Sequence, residues 1–179
     1  FEAYRAHSSS TTNYNIRNIN TISFSSIQRN VYDTDNIHLK YRNNTCLLRG
    51  DLNWKMLARY INNKKVPQKI YCYACSDGSE AYSIALSLIN KLGRDKAKKF
   101  FPIISCDTDS KVISRAKDGV IALTTKDLKK LHRLKNPDAQ GVFHPTGHKD
   151  CISGDEFYFV DEKLRDCVVF GTSDIVEDS

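Results

Sequence analysis

Lys69-Ile70-Tyr71-Cys72-Tyr73-Ala74-Cys75-Ser76-Asp77-Gly78-Ser79-Glu80-Ala81-Tyr82-Ser83-Ile84-Ala85-Leu86 decides the fold of this 179-residue chain. It opens as a strand, with Ile70, Cys72 and Ala74 alternating against Tyr71 and Tyr73 after Pro67. A small polar loop, Cys75 to Ser79, carries one glycine. Tyr82, Ala85, Leu86, Ile89 and Leu92 then recur at helical spacing until Gly93 stops the helix. Strand, glycine loop and helix form the first unit of a nucleotide-binding α/β sheet. In such a unit the loop amides and the helix N-terminus face the crevice at the carboxyl end of the strand.

A second unit follows. Lys96 to Lys99 reads as a basic, solvated segment. Pro102 opens the buried strand Ile103-Ile104-Ser105-Cys106, which ends on Asp107-Thr108-Asp109. Ser110 to Lys117 is a helix with Val112, Ile113 and Ala116 inward, stopped by Asp118-Gly119. An acid at the end of the second strand is placed to accept both hydroxyls of an adenosine ribose. Asp107 has that role or simply caps the following helix; Asp109 is the better cap.

These residues carry a family resemblance. Ala74-Cys75-Ser76-Asp77-Gly78-Ser79-Glu80-Ala81-Tyr82-Ser83-Ile84-Ala85 resembles the Ser-x-Gly-Glu-Glu-Pro-Tyr-Ser-Ile-Ala signature of CheR-type chemotaxis receptor glutamate O-methyltransferases. Ser105 to Asp109, with Val112, Ala116 and Gly119, is similar to that family's Thr/Ser-Asp-Ile-Asp segment and its Ala-x-x-Gly. Arg42-Asn43-Asn44-Thr45-Cys46-Leu47-Leu48-Arg49 resembles its Thr-Asn-x-Thr-x-Phe-Phe-Arg motif, and Leu164 to Phe170 its Leu-Arg-x-x-Val-x-Phe strand. The four segments stand in order across residues 42 to 176. The resemblance implies a Rossmann-like class I methyltransferase sheet flanked by helices, formed by residues 42–179 after an irregular arm, 1–41. It implies S-adenosylmethionine as cofactor and S-adenosylhomocysteine as product. The implied acceptor is a glutamate carboxylate of a chemotaxis receptor or another acidic protein. A complete family member continues with a strand ending in Cys-Arg-Asn, so the sheet is expected to be truncated at the C-terminus.

The resemblance also implies a site. Asn43, Thr45 and Arg49 fall where the family lids the sulfonium end and the carboxylate of the methyl donor. An arginine is a chemically sensible carboxylate clamp, while the plainer reading is a turn with an exposed arginine. Ala74 and Gly78 line the loop. Glu80 stands at the second of the family's paired acids, with Ser79 replacing the first and Ala81 the proline. A carboxylate there suits the donor's ammonium, and it equally suits the helix dipole. Asp174 and Ile175 stand where the family has Asn-Leu beside the adenine; an aspartate accepts from the adenine amino group but cannot donate.

The remaining chain supplies limits. One domain with a real core fits the length. No run approaches the ~20 apolar residues of a membrane helix. Six scattered cysteines fit reduced thiols in a cytoplasmic protein better than a disulfide framework. Cys72-x-x-Cys75 has metal or redox spacing without a second pair, and His144-x-x-x-His148-x-x-Cys151 lacks a fourth ligand, so no metal is expected. The net charge of +6 suits an anionic partner, but no aromatic-basic interleaving points to nucleic acid. Residues 7 to 30, rich in Ser, Thr and Asn, read as a poorly ordered arm. Asp51 to Ile61 reads as a helix whose apolar face is Leu52, Met56, Leu57, Tyr60 and Ile61, closed by Lys64 and Lys65. Lys126 to Leu134 reads as a basic helix, 138 to 155 as a polar loop, and Glu156 to Val160 and Val168 to Phe170 as strands.

The open edge of a half sheet invites pairing with a second copy. Rival readings are a non-catalytic S-adenosylmethionine-binding or interaction module and a dinucleotide oxidoreductase. The latter is opposed by the missing Gly-x-Gly-x-x-Gly.

Overall fold

The computed structural model describes residues 46–64, 66, 68–149 and 154–173, together with the backbone of 21–25. Two sheets carry the chain. In the first, β1 (Thr21–Ser25), β2 (Lys69–Tyr73), β3 (Ile103–Asp107) and β7 (Val168–Thr172) lie side by side in that order, all parallel. In the second, β4 (Val120–Leu123), β6 (Glu156–Val160) and β5 (Phe143–Lys149) form a small antiparallel sheet with β6 central. The helices are α1 (Trp54–Asn62), α2 (Ser79–Leu92), α3 (Arg94–Ala97), α4 (Ser110–Asp118), α5 (Thr125–Leu131) and α6 (Glu162–Arg165). This is the expected parallel α/β sheet flanked by helices.

The central helix α2 is buried on nearly every side, from Ser79 through Ile89. A helix apolar all round belongs inside a core. Its small polar residues Ser79, Ser83 and Ser87 follow one another at four-residue spacing, and each later hydroxyl donates to the carbonyl four residues back. Their small size lets other chain segments approach this face. Tyr82, fully buried, packs edge-on against Phe170 at a ring-centroid distance of 5.6 Å and donates its hydroxyl to the Ala116 carbonyl. One side chain thereby joins α2, β7 and α4. As expected, Val112, Ile113 and Ala116 point inward from α4.

Several expectations are corrected. Thr21–Ser25, read as part of an irregular arm, is the edge strand of the main sheet. Ser79 belongs to α2 rather than to the loop before it. The segment Lys96 to Lys99 is helical and interrupted by buried Ala97. The helix expected from Asp51 starts at Trp54, because Asn53 caps it by accepting from the Met56 amide. Its buried stripe keeps the expected Leu57 and Ile61 but is otherwise different. Ala58 and Ile61 are buried with Trp54 and Leu57 packed beside them, whereas Met56 and Tyr60 are 64% and 55% exposed. Both sets have helical spacing; Ala58 permits close approach to α2, and the Trp54 indole N–H finds an acceptor inward. Helix α5 begins at Thr125, under a capping box of Thr124 and Asp127, and ends at Leu131. The polar loop expected from 138 to 155 contains strand β5, which exposes both faces and so shows no alternation.

Candidate functional site

The chain leaves β2 through a loop of unusual backbone. Ala74, Ser76 and Gly78 have φ of 53°, 51° and 87°. Two non-glycine residues in the left-handed region cost about 1 kcal/mol or more each. Local hydrogen bonds hold the loop. The Cys75 amide donates to the Cys106 carbonyl at 3.0 Å, and the Gly78 amide to the Cys75 carbonyl at 3.0 Å. The Ser79 amide donates to the Asp77 carboxylate at 3.0 Å. Burial pushes the Asp77 carboxyl above its usual range against that bond. Gly78 is required twice over. Its φ is left-handed, and a Cβ there would stand 2.7 Å from Phe170 Cζ.

Asp107 ends β3 beside this loop. Its Oδ2 accepts from the Ser76 amide at 2.9 Å and its Oδ1 from the Asp109 amide at 3.0 Å. The carboxylate thus ties the two strand ends together and keeps lone pairs for a ligand. Asp109 caps α4 by accepting from the Lys111 amide, as one of the two readings held.

Arg49 reaches the N-terminus of α2 from the other side, on a backbone fixed at three successive residues. Lys130 Nζ donates to the Leu47 carbonyl at 2.9 Å. The Leu48 amide, on a residue with φ of 48°, donates to Ser83 Oγ at 2.7 Å. The Trp54 indole N–H donates to the Arg49 carbonyl at 2.8 Å. The guanidinium then grips Asp51 with Nε and Nη2, at 3.1 and 2.6 Å. Its Nη1 stands 3.5 Å from Glu80 Oε2, an ion-pair distance without hydrogen-bond geometry.

Glu80 is 7% exposed, and its Oε2 has no hydrogen-bond partner in the described structure. Burial raises its carboxyl above the usual range, and Arg49 works in the opposite direction. Leaving a buried carboxylate oxygen without a donor is costly, so the atom is suited to a cationic donor from a ligand. Cys72 and Cys75 nearby are buried thiols whose protonated form burial favours. Among the described residues, no three His, Cys, Asp or Glu side chains gather as a metal cluster.

The structure therefore brings Arg49, Ala74, Gly78, Glu80 and Asp107 to the carboxyl ends of β2 and β3 and the N-terminus of α2. Asn43, Thr45, Asp174 and Ile175 lie outside the described residues, as does Cys151. Sequence reasoning passed over Ser83, Trp54 and Lys130 as supports of Arg49. The signal for Ser83 was present as the Ser79, Ser83, Ser87 stripe on a buried helix. The contacts of Trp54 and Lys130 depend on the fold.

Fold and site together define an α/β domain in which two acids, Glu80 and Asp107, and one arginine, Arg49, gather around the loop between a parallel strand and its helix, the crevice where nucleotide-binding sheets take their ligands. The chain belongs to the CheR methyltransferase family, whose SAM-binding domain matches residues 43–179. It is an S-adenosylmethionine-dependent methyltransferase domain of the protein-glutamate O-methyltransferase type. No curated protein matches the chain. Among the described residues, no helix is long and apolar enough to cross a membrane.

Proposed function

We propose that residues 42–179 form the domain that methylates glutamate side chains of chemotaxis receptors in the cytoplasm, with a donor site made by the residues gathered at α2. The observation that carries this reading is the buried Oε2 of Glu80, which accepts no hydrogen bond from the described residues and stands 3.5 Å from the Arg49 guanidinium. Glu80 takes the ammonium of the donor's amino-acid tail. Arg49 takes its carboxylate, exchanging or sharing its contact with exposed Asp51. The backbone from Ala74 to Gly78 runs along the tail. Asp107 accepts from the ribose hydroxyls, Asp174 and Ile175 flank the adenine, and Asn43 and Thr45 cover the sulfonium end.

The bound donor supplies a methyl group already activated on sulfur. The protein's task is then alignment. An acceptor glutamate is ionised near neutral pH and needs no base, so proximity and orientation carry the rate. Arg49, on a segment whose backbone is held at Leu47, Leu48 and Arg49, is suited to that task.

The test is transfer of label from methyl-labelled S-adenosylmethionine to a receptor cytoplasmic fragment, read as base-labile methyl ester. Ester formation that disappears in Glu80→Gln supports the reading. Tight S-adenosylhomocysteine binding without ester formation would instead favour a non-catalytic binding module. That second reading draws on the occupied fork of Arg49 and on Ser79 standing where the family has an acid.

A further inference from the structure

Behind Arg49, away from Glu80, a groove of about 740 Å3 runs between α1, the C-terminal half of α2 and the segment after α5. Its floor is apolar, with Leu48, Leu52, Trp54 and Leu134. Its rim is cationic, with Lys55, Lys91, Arg133 and Lys135. These four come from three separate parts of the chain and are all exposed. None has an ion-pair partner among the described residues. Among the described residues, no acidic side chain lines the groove. By contrast Lys130, at its edge, is paired with Asp127 and serves the fold.

Four like charges around one concavity repel one another, and an anionic occupant would relieve that repulsion. Most lysines on a protein surface need no explanation. Convergence of unpaired cations from three elements onto one apolar-floored groove does. We infer that this groove docks an acidic segment of the methyl-accepting protein, its carboxylates on the rim and an apolar side chain on the floor.

Two features favour a protein over other anions. The apolar floor is lined by leucines and one indole edge rather than by a set of stacking aromatics, which an oligonucleotide would use. The groove also borders the proposed donor site, since Arg49 lines it and its guanidinium stands 3.5 Å from Glu80. A protein presenting one carboxylate for methylation has neighbouring surface to lay there. The inference rests on the proposed acceptor class, but its test does not require catalysis.

Trp54 is the chain's single tryptophan and lies in the groove, so its fluorescence reports occupancy directly. The probe is a helical peptide of about fifteen residues with glutamates at i, i+4 spacing and leucines between them. The controls are a lysine-for-glutamate peptide and a single-stranded oligonucleotide of equal negative charge. The acidic peptide should shift Trp54 emission saturably, with affinity falling as salt rises. The double variant Lys91→Glu, Lys135→Glu should weaken that binding at least tenfold while S-adenosylhomocysteine binding, measured by calorimetry, stays unchanged. No emission change with the acidic peptide, or equal affinity in the double variant, would overturn the inference. So would binding of the oligonucleotide alone. Peptide binding in a chain that fails to bind S-adenosylhomocysteine would leave the groove standing and remove the methyltransferase reading.

Discussion

Ser83→Ala should loosen the donor site without touching a ligand. Ser83 Oγ is the acceptor for the Leu48 amide at 2.7 Å and donates to the Ser79 carbonyl at 2.6 Å. Losing the second bond costs little, because that carbonyl already serves the helix. Losing the first strands a buried amide on a residue held at a left-handed φ of 48°. An unsatisfied buried donor costs about 1–3 kcal/mol. At about 2–4 °C per kcal/mol for a domain of this size, a mid-range loss of 2 kcal/mol lowers Tm by about 4–8 °C.

The functional effect follows from what remains. Lys130 still holds the Leu47 carbonyl and Trp54 the Arg49 carbonyl, so Arg49 shifts rather than detaches. Affinity for S-adenosylhomocysteine should fall about three- to tenfold, under 1.4 kcal/mol. Differential scanning calorimetry reads the first effect and titration calorimetry the second. A variant with unchanged Tm and unchanged affinity would refute the pinning. Reduced Tm with unchanged affinity would refute the claim that Arg49 contacts the ligand.

Glu80→Gln removes a buried charge that lacks a hydrogen-bond partner, so stability in denaturant should hold or rise, while ligand affinity drops about tenfold or more. Equal affinity would remove Glu80 from the site. Because burial raises the Glu80 carboxyl and a ligand ammonium favours its ionised form, affinity should be full above the free protein's Glu80 pKa and fall as pH drops through it. Glu80→Gln should flatten that profile, and an unchanged profile would assign the titration elsewhere. In the free protein the sign reverses: neutral Glu80 is easily buried, so its penalty sets in as pH rises from the unfolded-state value through the raised folded one. Gly78→Ala forces a Cβ to 2.7 Å from Phe170 Cζ at φ of 87° and should cost about 2–4 kcal/mol in a urea titration. A cost within about 0.5 kcal/mol would show that the contact yields easily.

The parts legible in the sequence were those where local pattern and tertiary role agree. Strands β2 and β3 are short apolar runs, and the glycines at 78, 93 and 119 sit at φ of 87°, 77° and 69° where a turn or helix end needs them. Asp109 stood in the right place to cap α4 and does so. The failures came where two local readings compete or where pattern is absent. On α1, the expected face of Leu52, Met56, Leu57, Tyr60 and Ile61 and the observed one of Trp54, Leu57, Ala58 and Ile61 share Leu57 and Ile61, and only packing against α2 turns Trp54 and Ala58 inward in place of Met56 and Tyr60. Strand β5 includes Pro145 and Gly147 and exposes both faces, so it leaves no alternation to read. β1 sits in a Ser-, Thr- and Asn-rich stretch whose pairing partner lies more than forty residues on.

The site divided the same way. Glu80, Asp107 and Gly78 could be placed from strand-loop-helix logic, because each occupies a fixed point of that unit. Arg49 could be named but not positioned. Its placement depends on a serine of α2, an indole of α1 and a lysine of α5, which no spacing in the sequence connects.

The most direct test of the account is calorimetric titration of the chain with S-adenosylhomocysteine, with NAD as control and Asp107→Asn beside it. The account predicts a dissociation constant on the order of 1–10 µM, about 7–8 kcal/mol. It predicts no heat from NAD and at least tenfold weaker binding in the variant. Absence of S-adenosylhomocysteine binding by the folded chain, or unchanged affinity in Asp107→Asn, would contradict it.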